Sequence, residues 1–186
     1  MISTRRSFLL LSASAGLVAA GSGRARAASA RVLAQNGQRA LNLLYAENAK
    51  ARELGRRAKA ILVFPRIIKG GLIVGGQTGD GVLLVRGRPA GYYNVSAASF
   101  GLQAGGQAFS YALFFMTDSS LDYLQKSDGW AIGSGPSLVV EDKGAAASLT
   151  TTTLTQDVYA FPFGQHGLMA GLGLEGSKIT RIQPGP

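Results

Sequence analysis

The stretch GLIVGGQTGDGVLLV, Gly71 to Val85, decides how the rest of the chain is read. It is one residue short of a Walker A loop, G-x-x-x-x-G-K-[ST]. Gly71, Gly76 and Thr78 fit, but Gln77 stands where the lysine belongs. A phosphate loop also needs a strand before it and a helix after it, so that amides at the helix N-terminus can hold the phosphate. Here Thr78-Gly79-Asp80-Gly81 reads as a turn, and Val82-Leu83-Leu84-Val85 reads as a second strand. Asp-Gly between two apolar runs is a hairpin signal. The stretch therefore predicts sheet rather than a nucleotide site. Its glycines permit twist, bulges and close backbone contact.

Sheet extends outward on both sides. AILVFP, Ala60 to Pro65, is a short continuous apolar run. Gly91 to Met116 has no helical stripe, and from Leu102 it alternates. Leu102, Ala104, Gly106, Ala108, Ser110 and Ala112 point one way; Gln103, Gln107, Phe109, Tyr111, Leu113 and Phe115 point the other. A period of two means strand. The first face is almost all small, so another layer, a sheet or the helix, must pack closely on it. WAIGSGPSLVV (Trp130–Val140), SLTTTTLTQDVYAFPF (Ser148–Phe163) and GLMAGLGLEGSKITRI (Gly167–Ile182) are three further strand segments. Thr150–Thr153 has high β propensity. Asp118–Lys126 reads as a short helix capped by Thr117 or Asp118.

On the N-terminal side, residues 31 to about 59 read as one helix. Leu33, Leu41, Leu44, Ala51 and Ala58 lie near one stripe, and Arg52, Arg56 and Lys59 share another face. Gly37 and Gly55 weaken it, and Pro65 prevents its continuation. The expected fold is α+β: an N-terminal helix plus a glycine-rich, largely antiparallel β-sheet, as a sandwich or partial barrel, with a short second helix.

Residues 1–27 read as a signal peptide. Arg5 and Arg6 precede a mild apolar run from Phe8 to Ala20, and Ala25-Arg26-Ala27 is a small-x-small cleavage pattern. That run is 13 residues long, short of the ~20 that span a bilayer. Thr4–Leu9 resembles a twin-arginine motif, with Leu10 in place of the usual lysine. An ordinary secretory signal is the alternative. Residues 28–186 are expected to form a single domain, exported and periplasmic or extracellular. No cysteine is present, which excludes disulfides, thiolate metal sites, thiol nucleophiles and a conventional lipoprotein anchor.

The formal charge of +9 is unevenly spread. Residues 31–88 hold 11 Lys/Arg against Glu47, Glu53 and Asp80, while residues 89–186 hold four against seven acids. A basic first half points to an anionic partner or to a merely solvated positive face. Export argues against nucleic acid. Catalytic signals are missing: His166 is the only histidine, so no His-x-x-x-His pair exists, and it reads as a turn or surface residue. No G-x-S-x-G elbow occurs in the mature chain. Glu141 and Asp142 are adjacent, so on a strand they face opposite ways. Trp130 reads as a core or rim anchor. No enzyme activity, cofactor or metal is expected.

Several ordered motifs resemble the SYLF domain family. They are AKAILVFPRIIKGGLIVGGQTGDGVLLVR (Ala58–Arg86), GYYNVSAASFGLQAGGQAFSYALFFM (Gly91–Met116), LDYL (Leu121–Leu124), GWAIGSGPSLVV (Gly129–Val140) and VYAFPFGQHGLMAGLGLEGSKI (Val158–Ile179). The resemblance implies a lipid-binding module. Eukaryotic relatives bind phosphoinositide membranes, yeast members bind actin filaments, and bacterial members are exported. Actin binding should not transfer outside a cytoplasm, and the implied partner is an anionic phospholipid membrane surface. In those relatives membrane binding goes with an amphipathic N-terminal segment and basic residues. The matching positions here are Lys50, Arg52, Arg56, Arg57, Lys59, Arg66 and Lys69. The other reading is an envelope protein whose basic face binds a protein or an acidic glycan.

Overall fold

The computed structural model of the chain describes residues 30–71, 74–100, 105–141, 156–167 and 176–184. The expected signal segment, the start of the alternation at Leu102–Ala104, and Thr150–Thr153 lie outside the described residues.

The expected single N-terminal helix is two: α1 (Ala30–Glu47) and α2 (Ala49–Arg57). Asn48 makes the break. It is extended (φ −133°, ψ 106°), and its side chain accepts the Ala51 N–H, so it N-caps α2. The Arg52 guanidinium then turns back onto the Tyr45 carbonyl at the end of α1. α2 ends at Arg57, with Ala58 as its C-cap, because the chain is then recruited by the sheet: the Lys59 N–H donates to the Phe115 carbonyl at 2.8 Å. A third helix, α3 (Asp118–Lys126), is capped by Thr117, whose hydroxyl accepts the Ser120 N–H.

The strands are β1 (Ala60–Gly71), β2 (Val74–Val85), β3 (Arg88–Phe100), β4 (Gly105–Phe115), β5 (Trp130–Ala131), β6 (Leu138–Val140), β7 (Val158–Gly167) and β8 (Lys178–Ile182). They form one sheet in the order β5-β8-β3-β2-β1-β4-β7-β6. Every pairing is antiparallel except β6 with β7. The segment Trp130–Val140 is two short strands on opposite edges, not one strand. Only six residues, Ile132–Ser137, join those edges. Such a link reaches at most about 25 Å, whereas eight flat strands would measure about 34 Å across. The sheet is therefore curled, as a half-barrel.

Curling explains the apolar runs. Ala60–Phe64 and Tyr111–Phe115 are buried at every position. Ala60, Leu62, Phe64, Tyr111, Leu113 and Phe115 face the concave interior with Trp130 and Leu124. Ile61, Val63, Ala112 and Phe114 face outward onto Leu41, Leu44, Ala51 and Leu54 of the helices. The layer expected on the small face of β4 is thus the helical pair. On that face Phe114 meets Phe161 edge-on at 5.2 Å between ring centres. Trp130 is a core residue, 1% exposed, its indole N–H donating to the Ser134 carbonyl at 2.8 Å.

The turn expected at Thr78–Gly81 does not exist. β2 runs straight through it, with Thr78–Gly81 paired to Tyr93–Ser96 of β3. Gly79 and Gly81 are glycines because β1 lies too close for a side chain. A Cβ at Gly81 would fall 2.5 Å from the Phe64 ring, and one at Gly79 would fall 2.6 Å from the Arg66 carbonyl oxygen. The β2–β3 reversal comes at Arg86-Gly87, where φ is +50° and +75°. Two successive positive φ values are what a tight hairpin turn requires, since they match the twist of its strands. No helix follows the glycines, so the argument against a phosphate loop holds, but the turn lies seven residues further on and joins β2 to β3. Gln77, in the Walker lysine position, is buried and donates to the Ser177 hydroxyl at 2.7 Å.

Candidate functional site

The seven cations singled out in the sequence do not form one patch. Lys50 is not on the surface at all: it is 7% exposed, and its ammonium donates to Glu141 Oε2 at 2.7 Å. A charge removed from water this far must be paired, and the pair ties α2 to the residue after edge strand β6. Lys50 is a structural residue here.

Arg52, Arg56 and Arg57 are exposed on α2, and Lys59 is exposed just beyond it. Lys59 is not on a helix face with Arg52 and Arg56, because the helix has already ended at Arg57. Arg56 contacts Glu53 Oε2 at 2.8 Å, and Lys59 contacts Asp118 Oδ2 at 3.0 Å. Exposed pairs of this type are worth about 0–1 kcal/mol, so an anionic surface can displace them. Arg57 has no carboxylate within ion-pair distance among the described residues. Arg56 and Arg57 occupy the last turn of α2, where the helix dipole favours cations.

Two further cations join this edge. Gly55 of α2 and its C-cap Ala58 line a small cavity together with Arg86 and Gly87 of the β2–β3 turn. Arg86 and Arg88 are both exposed there. Sequence spacing could not connect them to α2, because the sheet register brings the turn alongside. The resulting edge carries Arg52, Arg56, Arg57, Lys59, Arg86 and Arg88 against Glu53 and Asp118.

Arg66 and Lys69 lie elsewhere on β1. The strand bulges between them and the buried end: its register shifts between Val63 and Ile68 against β2, and between Phe64 and Ile67 against β4. Pro65 suits that break, having no N–H to give a ladder. Arg66 projects from the bulge into a cleft under α1 that no α2 residue lines. Lys69 stands in register between Gln77 and Gln107, both buried, and alternation from Ile67 puts it on the concave side.

Among the described residues, no three His, Asp or Glu side chains are grouped to hold a metal, and no helix is long and apolar enough to cross a membrane. His166 is exposed near the end of β7, a surface residue as expected but on a strand.

No curated protein matches the chain. Residues 96–183 match the model of the Ysc84 family, described as Las17-binding protein actin regulator. That range covers the end of β3, then β4 through β8, and so includes four of the five segments on which the SYLF resemblance was drawn, in whole or in part. The basic α2 edge lies before it. Over residues 96–183 the chain matches the Ysc84 (SYLF) domain model, in agreement with the resemblance drawn from its motifs.

Proposed function

We propose that this protein is an exported, non-enzymatic module that binds anionic phospholipid headgroups at a membrane surface through the α2 edge and the β2–β3 turn. The observation that carries the reading is the exposed set Arg52, Arg56, Arg57, Lys59, Arg86 and Arg88, of which, among the described residues, only Arg56 and Lys59 are in ion pairs, with Glu53 and Asp118. Each cation held near an anionic membrane contributes about 1 kcal/mol, falling off within a Debye length of about 8 Å. The SYLF family, associated with lipid and actin binding, supports a binding role over a catalytic one. The Arg5-Arg6 signal supports export to the periplasm or beyond, where the accessible anionic surface is a phospholipid leaflet rather than actin.

Flotation with vesicles tests the lipid half. The protein should float with phosphatidylglycerol-containing vesicles at low salt, and stay behind with neutral vesicles or at high salt. Indifference to vesicle charge favours the alternative, an envelope protein whose basic face takes a protein or acidic glycan. Export is tested separately: Arg5→Lys with Arg6→Lys should leave unprocessed precursor in the cytoplasm. Normal processing of that variant would assign the general secretory route.

A further inference from the structure

The cleft beside Arg66 is a second site, distinct from the α2 edge. It lies between α1 and strands β1, β4 and β7, and has a volume of about 750 Å³. That is within the range of small-molecule pockets, about 300–1,000 Å³. Two bulges open it. One is at Pro65-Arg66 of β1, where the Ser110 hydroxyl donates to the Pro65 carbonyl at 2.8 Å. The other is in β7, whose register against β4 shifts between Ala108 and Ser110, with Gly164 at φ +61°. Side-by-side bulges re-aim side chains, and here they turn Arg66 and His166 toward α1.

Three nitrogen donors from three elements line the cleft: Arg39 of α1, Arg66 of β1 and His166 of β7. Arg39 is held by neutral partners, its Nη2 donating to Asn36 Oδ1 at 2.8 Å and its Nε to the Gln35 carbonyl at 3.4 Å. Neither guanidinium has a carboxylate within ion-pair distance among the described residues, and the lining holds one acid, Glu47. Asn36 and Ser110 add two neutral polar groups, and the apolar part of the wall includes Leu43, Ala108 and Phe163. Leu43 is 63% exposed, and Ile68, in register with Ala108, is 53% exposed. Leu43 thus lines the cationic cleft, and Ile68 lies on the strand next to it, opposite Ala108.

We propose that this cleft binds one single-chain anionic amphiphile. Its headgroup sits among Arg39, Arg66 and His166, and its chain lies along Leu43, Ala108 and Phe163. Guanidinium groups suit a phosphate or carboxylate head because their forked N–H groups match its oxygens. The apolar wall supplies what a free inorganic anion would not use. The ligand class rests on the lipid-binding reading, but the residues differ, so the two can fail separately.

Dodecyl phosphate, titrated calorimetrically into the full chain below its micellar concentration, is the probe. One molecule should bind per chain. Dodecanol and inorganic phosphate should each bind at least about tenfold more weakly, since each lacks one half of the contact. Arg39→Gln with Arg66→Gln should weaken dodecyl phosphate by about tenfold or more, because charge-assisted contacts are lost. Leu43→Asp should weaken it as well. Lys126→Gln with Arg181→Gln removes two charges elsewhere and should change nothing, and thermal melts should show all variants folded. Absence of saturable binding, equal affinity for dodecanol, or equal loss in the Lys126/Arg181 variant would overturn the site. If dodecyl phosphate binds while the protein ignores anionic vesicles, the membrane reading falls and the cleft stands. If the protein floats but takes no dodecyl phosphate, the cleft falls alone.

Discussion

The central strands have two unlike ends. At one end, Ala60–Phe64, Val82–Leu84 and Tyr111–Phe115 are buried on both faces, with aromatic and branched side chains in two separate cores. At the other, Ile68–Gly71 pair with Gly75–Thr78 and Gly105–Ala108, where side chains are small or polar and Ile68 is half exposed. The boundary is the β1 bulge. The same three strands supply stability on one side of it and little apolar area on the other. Arg66 sits at the change, where the chain is not committed to either core. A two-faced apolar strand end holds the fold; a glycine-rich end leaves its surface open for other use.

The sharpest way to break this contrast is a matched pair of truncations. Phe114→Ala removes a fully buried ring that contacts Phe161 and Tyr45, and should cost about 3–5 kcal/mol. Ile68→Ala at the open end should stay within about 0.5 kcal/mol. Equal losses in denaturant melts would erase the distinction between the ends.

Next in size is the buried ion pair. Glu141→Gln leaves the Lys50 ammonium enclosed without its counter-charge, and should destabilise by about 3 kcal/mol or more. Lys50→Met with Glu141→Leu should recover most of that loss, since an apolar pair needs no solvation. Failure of the double variant to recover would mean the pair has a role beyond satisfying its own burial.

Gly81→Ala tests the close approach of β2 to β1. Its methyl would press on the Phe64 ring, and overpacking of this kind costs about 1–3 kcal/mol. Phe64→Leu in the same chain should relieve part of the cost. If Gly81→Ala melts like the parent, the glycine is not set by packing.

The smallest effect concerns Asp157, which joins the α3 cap to the β6–β7 edge. It accepts the Ser137 N–H at 3.1 Å, the Ser137 hydroxyl at 2.9 Å and the Thr117 hydroxyl at 3.2 Å. Those bonds, the Ser137 N–H first, hold its carboxyl below the ordinary value of 3.8 despite an opposing desolvation. A depressed folded pKa gives stability that is complete above the unfolded value and lost as pH falls through the folded one. Asp157→Asn should therefore lower the melting midpoint modestly at neutral pH, by about 1 kcal/mol in stability. The gap from the parent should narrow below about pH 4. A gap that stays constant into acid would show that the charge is not the stabilising feature.

Much of this fold was legible because burial leaves a period in the sequence. The continuous runs at Ala60 and Leu113 announce strands covered on both faces, and within β4 the alternation from Ala108 to Phe115 separates the two layers. The Thr117 cap was readable for the same local reason. What failed was local signal overruled at a distance. Asp80-Gly81 carries turn chemistry, yet pairing with Tyr93 and Asn94 keeps it in a strand. Arg86 takes a positive φ that its residue type does not advertise. Asn48 was a usable capping signal, hidden because the apolar spacing of Leu44 and Ala51 continues across it.

The candidate sites were less legible. Lys50 looks like its basic neighbours until Glu141, 91 residues away, encloses it. Arg86 and Arg88 reach α2 only through the sheet register, and Arg39 and His166 meet Arg66 only through two bulges. None of these relations has a sequence period.

On the proposed reading, the edge built from α2 and the β2–β3 turn is a membrane-binding surface, not a solvated one. The direct measurement is flotation of Arg57→Gln/Arg86→Gln/Arg88→Gln with phosphatidylglycerol-containing vesicles, beside the parent. At about 1 kcal/mol per cation, the loss should exceed about a hundredfold in affinity. The thermal melt should barely move, because all three side chains are exposed. Parent-like flotation of that variant, or parent binding that persists at high salt, would contradict the account.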